Sequence, residues 1–563
     1  MNYLLLYFFA LFFTISIIGH GFLLSKTINK DLLKLNIGYQ GLLGILSLTI
    51  ISYFTIFFLK HGYVHNIILH AAGILSFILF FKKNIKVPDL IKLTSIFTIL
   101  FIGLLIIRNH DDFNYYHLTY SLGLTENKIF LGLGQFQHGY KHHSSLFFFN
   151  SIIFLPFIKH YLFHSLGWFT LVFVNFYIID YLIFKKKKEL NFEYFFYLLT
   201  LLFINVKFYR IGSYGTDISG QIILLSIFPL IFSTLKLKIN DTDFKSNIWL
   251  IILLVSYVTT LKSFFILNII FLFSFLMFFN FKKIMSFFIQ SKTFLVVSTT
   301  ILLLTIINIS YTGCAIYPVK ETCLSNQLSW SLEKDYVDNA NNWYQQWSKA
   351  GAGPNYRVKN PDEYIKKFNW VSNWHERYFK YKGYETILGI IFLLLLILFL
   401  FRGVSKEKPD KQNKKKILTL FATTLILSFE WFYNHPAFRY GGYYLLCIIF
   451  FVPISYYLST LKLNFFKKKN TIFYLIIFSF LIFEIKNIKR IKEEFKIIPD
   501  NNFPLFYAPT QLSKEIALDY NVKVYKPLDN QGGCWVAKTP CVMSADHVVV
   551  NKKLGFYMFV RKK

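Results

Sequence analysis

Fourteen stretches of mostly apolar residues, each close to the length that crosses a bilayer, recur between Tyr3 and Ile485 of this 563-residue chain. A helix needs roughly 17 to 25 such residues to traverse the hydrocarbon core. The recurrence therefore predicts an all-α polytopic membrane protein with about fourteen transmembrane helices. The spans fall near residues 3 to 24, 40 to 59, 64 to 81, 90 to 107, 161 to 184, 190 to 206, 218 to 235, 247 to 261, 264 to 280, 293 to 310, 385 to 402, 416 to 433, 442 to 459 and 471 to 485. With 55% apolar and 16% charged residues, no soluble core could hide them all. No basic residue and no small-residue cleavage site accompany the first apolar run, so it reads as a retained span.

The formal charge of +31 invites a nucleic-acid reading, but the lysines stand in short runs between spans: Lys82-Lys83, Lys185 to Lys188, Lys414 to Lys416 and Lys467 to Lys469. That is the pattern of cytoplasmic loops, and it argues for membrane lipids and against nucleic acid as partners. With these loops inside, residues 108–160, 207–217, 311–384, 434–441 and 486–563 lie outside, in the periplasm of a bacterial inner membrane, with both termini periplasmic. The expected organisation is N-terminal spans over 1–107, an outer loop at 108–160, a membrane core at 161–310, a helical cap at 311–384, further spans at 385–485, and a small α/β or β-rich outer domain at 486–563. Four of the five cysteines fall outside as close pairs, Cys314 with Cys323 and Cys534 with Cys541. Disulfides suit an oxidising compartment, and neither pair has the spacing of a zinc site. Cys447 lies within a span and reads as packing.

Chemistry concentrates where the fourth span leaves the membrane, at Arg108-Asn109-His110-Asp111-Asp112-Phe113-Asn114-Tyr115-Tyr116-His117-Leu118. The chain has only 30 acidic residues, and two stand side by side here. Ionisable groups at a bilayer boundary are costly and often functional, although a carboxylate pair can also simply solvate a helix end. The loop continues through Gln135, His138, Tyr140, Lys141, His142 and His143 into a short apolar stretch, 145 to 156, which predicts a half-embedded helix. The histidines are open to three roles: metal ligands, a general base, or a polar surface facing headgroups. Arg210 and Asp217 flank a Gly-containing turn, Lys262 interrupts two spans, and Arg439-Tyr440 sits in a tight hairpin. An arginine there suits bidentate capture of a phosphate or a carboxylate, while Lys262 and Arg439 could equally snorkel to headgroups. Glu430, within a span, should pair with a cation or line a cavity.

Asp112-Phe113-Asn114-Tyr115-Tyr116-His117-Leu118, with the 145 to 156 segment and the Arg439-Tyr440 hairpin, resembles the GT-C class of membrane glycosyltransferases. Ser310 to Pro318, Cys534-Trp535 and Pro540-Cys541 are similar to a family of bacterial multi-pass proteins with no assigned activity. The first resemblance implies a lipid-linked sugar donor on a polyprenyl phosphate and an envelope glycan or lipid acceptor. It makes Asp112 the catalytic carboxylate with Asp111 beside it. Donor and acceptor would be bound by His117, His138, His142, His143, Arg210, Asp217, Lys262, Arg439 and Tyr440. A divalent cation, Mg or Mn, if used, would be held by Asp111, Asp112 and His143.

Three other readings compete. An O-antigen polymerase or ligase shares the many spans and the large outer loop, but would favour arginines over an Asp pair. A transporter or flippase would spread charges through the spans in two related halves, and Lys262 and Glu430 are the candidates the sequence offers for that. A non-enzymatic assembly protein would use its outer loops to bind partners.

Overall fold

The computed structural model describes residues 3–105, 110–184, 189–353, 356–404, 411–497, 508–528, 533–553 and 555–562. Arg108 and Asn109, the Lys185 to Lys188 run and part of the C-terminal segment lie outside the described residues. Among the described residues twelve helices are long and apolar enough to cross a membrane, which makes the chain a multi-pass membrane protein. They are Tyr3–Ile28, Ile37–Thr55, Tyr63–Asn84, Val87–Leu104, Leu166–Phe184, Ile218–Leu235, Thr242–Leu261, Lys292–Thr312, Val371–Leu400, Lys411–Asn434, Gly442–Ser459 and Phe465–Lys496.

The two other expected spans are short. Phe192–Lys207 has 16 residues, about 24 Å at the helical rise. Glu193 at its start pairs with Lys236, and Lys207 at its end lies 3.6 Å from Glu385, so it joins opposite ends of the bundle. The segment Ser263–Phe278 begins as a 3₁₀ turn and continues as a nine-residue helix. It doubles back along Thr242–Leu261 until Phe279 packs on Phe244, ring centroids 5.0 Å apart. Twelve long helices and two short ones thus account for the fourteen apolar stretches.

Helix Ile218–Leu235 stands at the centre, buried on nearly every side. Peripheral helices bury one stripe and leave large apolar residues exposed, such as Leu388, Phe392, Leu395 and Phe399 on one face of Val371–Leu400. That inversion is what lipid as solvent dictates. Ser145–Ile152 departs from expectation: all eight residues are buried, so this helix is enclosed by protein and does not float at the interface. Too short to span, it packs against Ile37–Thr55 and Leu118–Glu126, and its polar groups find partners there and nearby, Ser151 with His61 and Ser145 with Thr260.

The polar loops gather at one end of the bundle. Gly132 N–H donates to the Ser310 carbonyl at 2.7 Å, and Tyr120 stacks on Tyr311, tying the loop after the fourth span to the base of the cap. Both cysteine pairs at this end are disulfides, Cys314–Cys323 and Cys534–Cys541. The C-terminal segment forms two separate antiparallel hairpins, Ser513–Ala517 with Lys523–Pro527 and Val548–Lys553 with Phe556–Arg561. They lean on the outer loop. Leu131 exchanges backbone hydrogen bonds with Tyr557 and Phe559, Tyr140 Oη donates to the Cys541 carbonyl at 2.8 Å, and Trp535 N–H donates to the Asn114 carbonyl at 3.1 Å.

Candidate functional site

The floor of the site is Asp217, the residue that opens the central helix. Gly215 precedes it at φ +58°, and a β-carbon there would come within 3.0 Å of His117 and 3.4 Å of His110, so the turn requires glycine twice over. Thr216 Oγ1 donates to Asp217 Oδ1. Lys262 Nζ lies 2.9 Å from Oδ1, and Arg439 Nε donates to Oδ2 at 2.8 Å. Lys262 is free to do so because helix Thr242–Leu261 ends just before it and its own backbone is extended.

Arg439 is held by its hairpin. Trp374 Nε1 donates to the Pro436 carbonyl, Trp431 Nε1 to the Ala437 carbonyl, and Phe438 N–H to Tyr378 Oη. Gln221, one turn along the central helix from Asp217, donates to the Arg439 carbonyl at 2.9 Å. The same helix therefore sets both the charge and the backbone of Arg439. Tyr440 and Trp347 place their rings 5.6 and 5.8 Å from the guanidinium, and Lys262 lies 4.9 Å from Tyr440, distances typical of cation–π contact.

Asp112 joins this floor beside Arg439. Its carbonyl accepts from both Tyr116 N–H and His117 N–H, at 3.0 and 3.2 Å, the wide π-type turn often found at functional sites. One carboxylate oxygen is 3.9 Å from Arg439 Nη2 and 3.5 Å from His110 Nδ1, which itself accepts from Asp112 N–H at 3.1 Å. The Asp112 side chain is 38% exposed, whereas that of Asp217 is 1% exposed. The rings of His110 and His117 stack 5.4 Å apart behind it.

The two carboxyls are tuned in opposite directions. Burial pushes Asp217 up, but Lys262 and Arg439 pull it far down, well below the usual carboxylate range. Burial also pushes Asp112 up; Arg439 and Lys262 oppose this without cancelling it, and the charges of Asp217 and Asp111 add to the rise. Burial, with Arg439 next, holds His110 far below the ordinary imidazole value, and it lowers His117 to about 3. The site thus contains two neutral imidazoles, two cations, one locked carboxylate and one carboxylate with raised proton affinity.

Above the floor lies a neutral roof. His142 Nε2 is 3.1 Å from His138 Nε2 and 3.0 Å from Tyr344 Oη, which is 3.1 Å from Tyr317 Oη. Lys141 donates to Tyr336 Oη. A narrow cavity of about 90 Å³ runs between roof and floor, lined by Tyr116, His142, Lys262 and Asn308 among others.

Of the residues anticipated from sequence, the structure brings together Asp112, His117, Asp217, Lys262, Arg439 and Tyr440. His138 and His142 belong to the roof. His143 turns to Tyr53, with Nε2 2.7 Å from the phenol oxygen, and Arg210 lies 3.8 Å from Glu494, where Arg490 also binds at 2.9 Å. Glu430 accepts from Asn434 and has no cation in ion-pair range among the described residues. Gln221, Trp347 and Trp374 went unnoticed in the sequence, and His110, though within the Asp112 stretch, was given no role. Gln221 carried a signal, being a lone amide in an apolar span one turn from Asp217.

The metal set Asp111, Asp112 and His143 is not assembled. The group in ligating range among the described residues is His110, Asp112 and His117, their donor atoms within 4.8 Å of one another. Two fixed cations crowd it, and His110 Nδ1 already accepts a backbone N–H, so this surround suits an anion better than a second positive charge.

The family described as Domain of unknown function (DUF8201) matches residues 1–446. No curated protein and no solved structure matches the chain. The matched region contains every residue of the floor.

Proposed function

The chain belongs to the DUF8201 family, whose description assigns no activity, so the site itself carries the reading, and we propose that this protein is a membrane glycosyltransferase moving a sugar from a polyprenyl-phosphate carrier to an envelope glycan or lipid acceptor. The observation that carries the proposal is the partly exposed Asp112 carboxylate, 3.9 Å from Nη2 of an arginine whose Nε is held by Asp217. In the reaction the acceptor oxygen attacks the anomeric carbon, the bond from that carbon to the phosphate oxygen breaks, and the lipid phosphate leaves with the electron pair. Asp112 takes the acceptor proton, a role favoured by its raised proton affinity. Arg439 uses one N–H on Asp217 and keeps its Nη edge for the phosphate, and Lys262 likewise keeps donors beyond the one on Asp217. Cations already positioned where charge develops stabilise the leaving group without reorganising. His110 and His117, neutral and stacked, back the Asp112 turn.

The site faces the periplasm of a bacterial inner membrane in this reading, with both termini on that side. Two disulfides at the site end support an oxidising compartment, and the lysine runs between the spans of the sequence support a cytoplasmic face opposite it.

The test is a mass-spectrometric profile of surface glycans and lipid-linked sugars in a deletion strain, complemented by wild type or by Asp112→Ala at matched expression. Wild type should restore the profile, while Asp112→Ala should leave a glycan lacking one unit with its lipid donor accumulating. Full complementation by Asp112→Ala would sink the proposal.

A further inference from the structure

Helix Lys334–Ser348 separates two environments. One face carries Tyr344 and Trp347 toward the roof and Arg439. The other carries Tyr336, Asn339, Ala340 and Trp343, at the i, i+3, i+4 and i+7 spacing that aligns side chains on one helix face. That second face walls an open cleft of about 410 Å³, closed opposite by Arg357 and Asp362. The volume is within the ~300–1,000 Å³ of small-ligand sites.

We propose that this cleft is a carbohydrate subsite holding sugar rings of the acceptor glycan while its terminal hydroxyl reaches Asp112. The word acceptor rests on the transferase reading; the carbohydrate chemistry rests on the cleft alone. Sugars offer flat C–H faces that pack on aromatic rings, and adjacent hydroxyl pairs that planar side chains grip in the plane. The cleft supplies both. Trp343 is 37% exposed with the Arg357 guanidinium 5.0 Å from its ring centroid, and Tyr336 is anchored by Lys141. Asn339, Asn342, Arg357 and Asp362 line the cleft with no side-chain hydrogen bond or ion pair among the described residues.

One cation and one carboxylate leave the lining neutral, which distinguishes it from an anion site. It lacks the aliphatic walls a lipid tail needs and the long strand edge on which an extended peptide adds; the adjacent strands are two residues each. The cleft also communicates with the site. His138 lines it, His138 contacts His142 at 3.1 Å, and His142 lines the cavity that contains Lys262. A glycan seated on Trp343 is therefore one histidine pair from the floor.

The experiment is isothermal titration of the purified full-length protein in nanodiscs with lipid-free oligosaccharides hydrolysed from the host strain's envelope glycan. A mixed-sequence peptide of similar size serves as comparison. Wild type should bind the oligosaccharide, and Trp343→Ala, Arg357→Ala and the pair Asn339→Ala with Asn342→Ala should each weaken it by about tenfold or more, as buried contact anchors do. Arg357→Ala and the asparagine pair alter exposed or partly exposed side chains, so they keep the test valid should Trp343→Ala fail to fold. Equal binding by these variants, no oligosaccharide binding by wild type, or binding of the peptide alone overturns the proposal. Should cleft variants lose binding while Asp112→Ala still complements, the transferase reading falls and the subsite stands.

Discussion

The floor and the roof of the site lie on either side of one narrow cavity, yet they are built on opposite principles. The floor gathers Asp217, Lys262, Arg439 and Asp112, a charged set balanced by ion pairs. The roof links His138, His142, Tyr344 and Tyr317 through neutral hydrogen bonds. A charged group taken from water needs a partner or it changes protonation state. The floor solved this by pairing and the roof, Lys141 apart, by neutrality, so the floor is the half suited to meet a phosphate and take up a proton. The lesson is that burial alone does not mark a reactive centre; the sign and placement of the retained charge do.

The sharpest break in this comparison should come from Asp112. Asp112→Asn should lower sugar transfer by about 10²–10⁴-fold, the range for a lost general base, measured by product formation in nanodiscs. Its stability should not fall. A carboxyl whose folded value is raised holds its proton more tightly in the folded state, so its favourable contribution is present at low pH and is lost as pH rises through the raised value. At neutral pH the ionised group is therefore a liability to folding, and the amide removes it. Transfer by wild type should accordingly decline as pH falls through a value above the ordinary carboxyl, ~3.9, set by burial and by Arg439, Lys262, Asp217 and Asp111 around it, with His110 in contact. Activity retained by Asp112→Asn, or a marked loss of its stability, would merge the two carboxylates into one structural role.

Asp217 should behave in reverse. Its folded value is depressed, so its stabilisation is complete above the unfolded ~3.9 and is lost as pH falls through the lower folded value. Asp217→Asn strands Lys262 and Arg439, and breaking a buried pair this way costs about 3–5 kcal/mol. Thermal unfolding should show it, and adding Lys262→Met should recover part of the loss by removing one stranded cation. No recovery in the double variant would mean that the floor is not held by charge balance.

The membrane architecture was legible because apolar length is a local property: each stretch from Tyr3 to Ile485 announces itself without reference to any other. The disulfides were legible for the same reason, being close in sequence. Asp112, Lys262 and Arg439 stood out as charges where charge is expensive. What could not be read was pairing at a distance. Asp217 looked like one more ligand-binding residue, and only the fold reveals it as the counter-ion that fixes both cations. His143 adjoins His142 in sequence, yet the two face different partners, Tyr53 and Tyr344. His110, the neighbour that does contact Asp112, stood in the same stretch, but nothing there distinguished its role from that of the other histidines. The β character of the C-terminal segment was legible, but its place on the outer loop was not, because that depends on backbone bonds from Asn114 and Leu131.

The roof should respond to loss of constraint more than to loss of charge. Cys314–Cys323 closes a loop of nine residues' separation beside Tyr317, and for a loop this short the chain-entropy relation gives about 2–3 kcal/mol. Cys314→Ser with Cys323→Ser should lower stability by that order while leaving the pH dependence of transfer where it was, since no titrating group of the floor is touched. A shifted pH profile would show that roof and floor are electrostatically one unit.

The smallest expected effect concerns Tyr344, whose hydroxyl lies 3.0 Å from His142 and 3.1 Å from Tyr317. Tyr344→Phe keeps the ring that packs against His138 and His142 and deletes only the oxygen. A neutral hydrogen bond contributes about 0.5–1.5 kcal/mol, and the partner left behind adds its own desolvation cost. The unfolding free energy should therefore fall by ~1–2 kcal/mol, while transfer of the donor sugar keeps its kcat. Because His142 lines the cavity that contains Lys262, a loosened imidazole should appear as a weaker apparent affinity for the acceptor. A drop in kcat of the size reserved for Asp112 would place the roof inside the proton-transfer machinery and erase the distinction drawn between the two halves of the site.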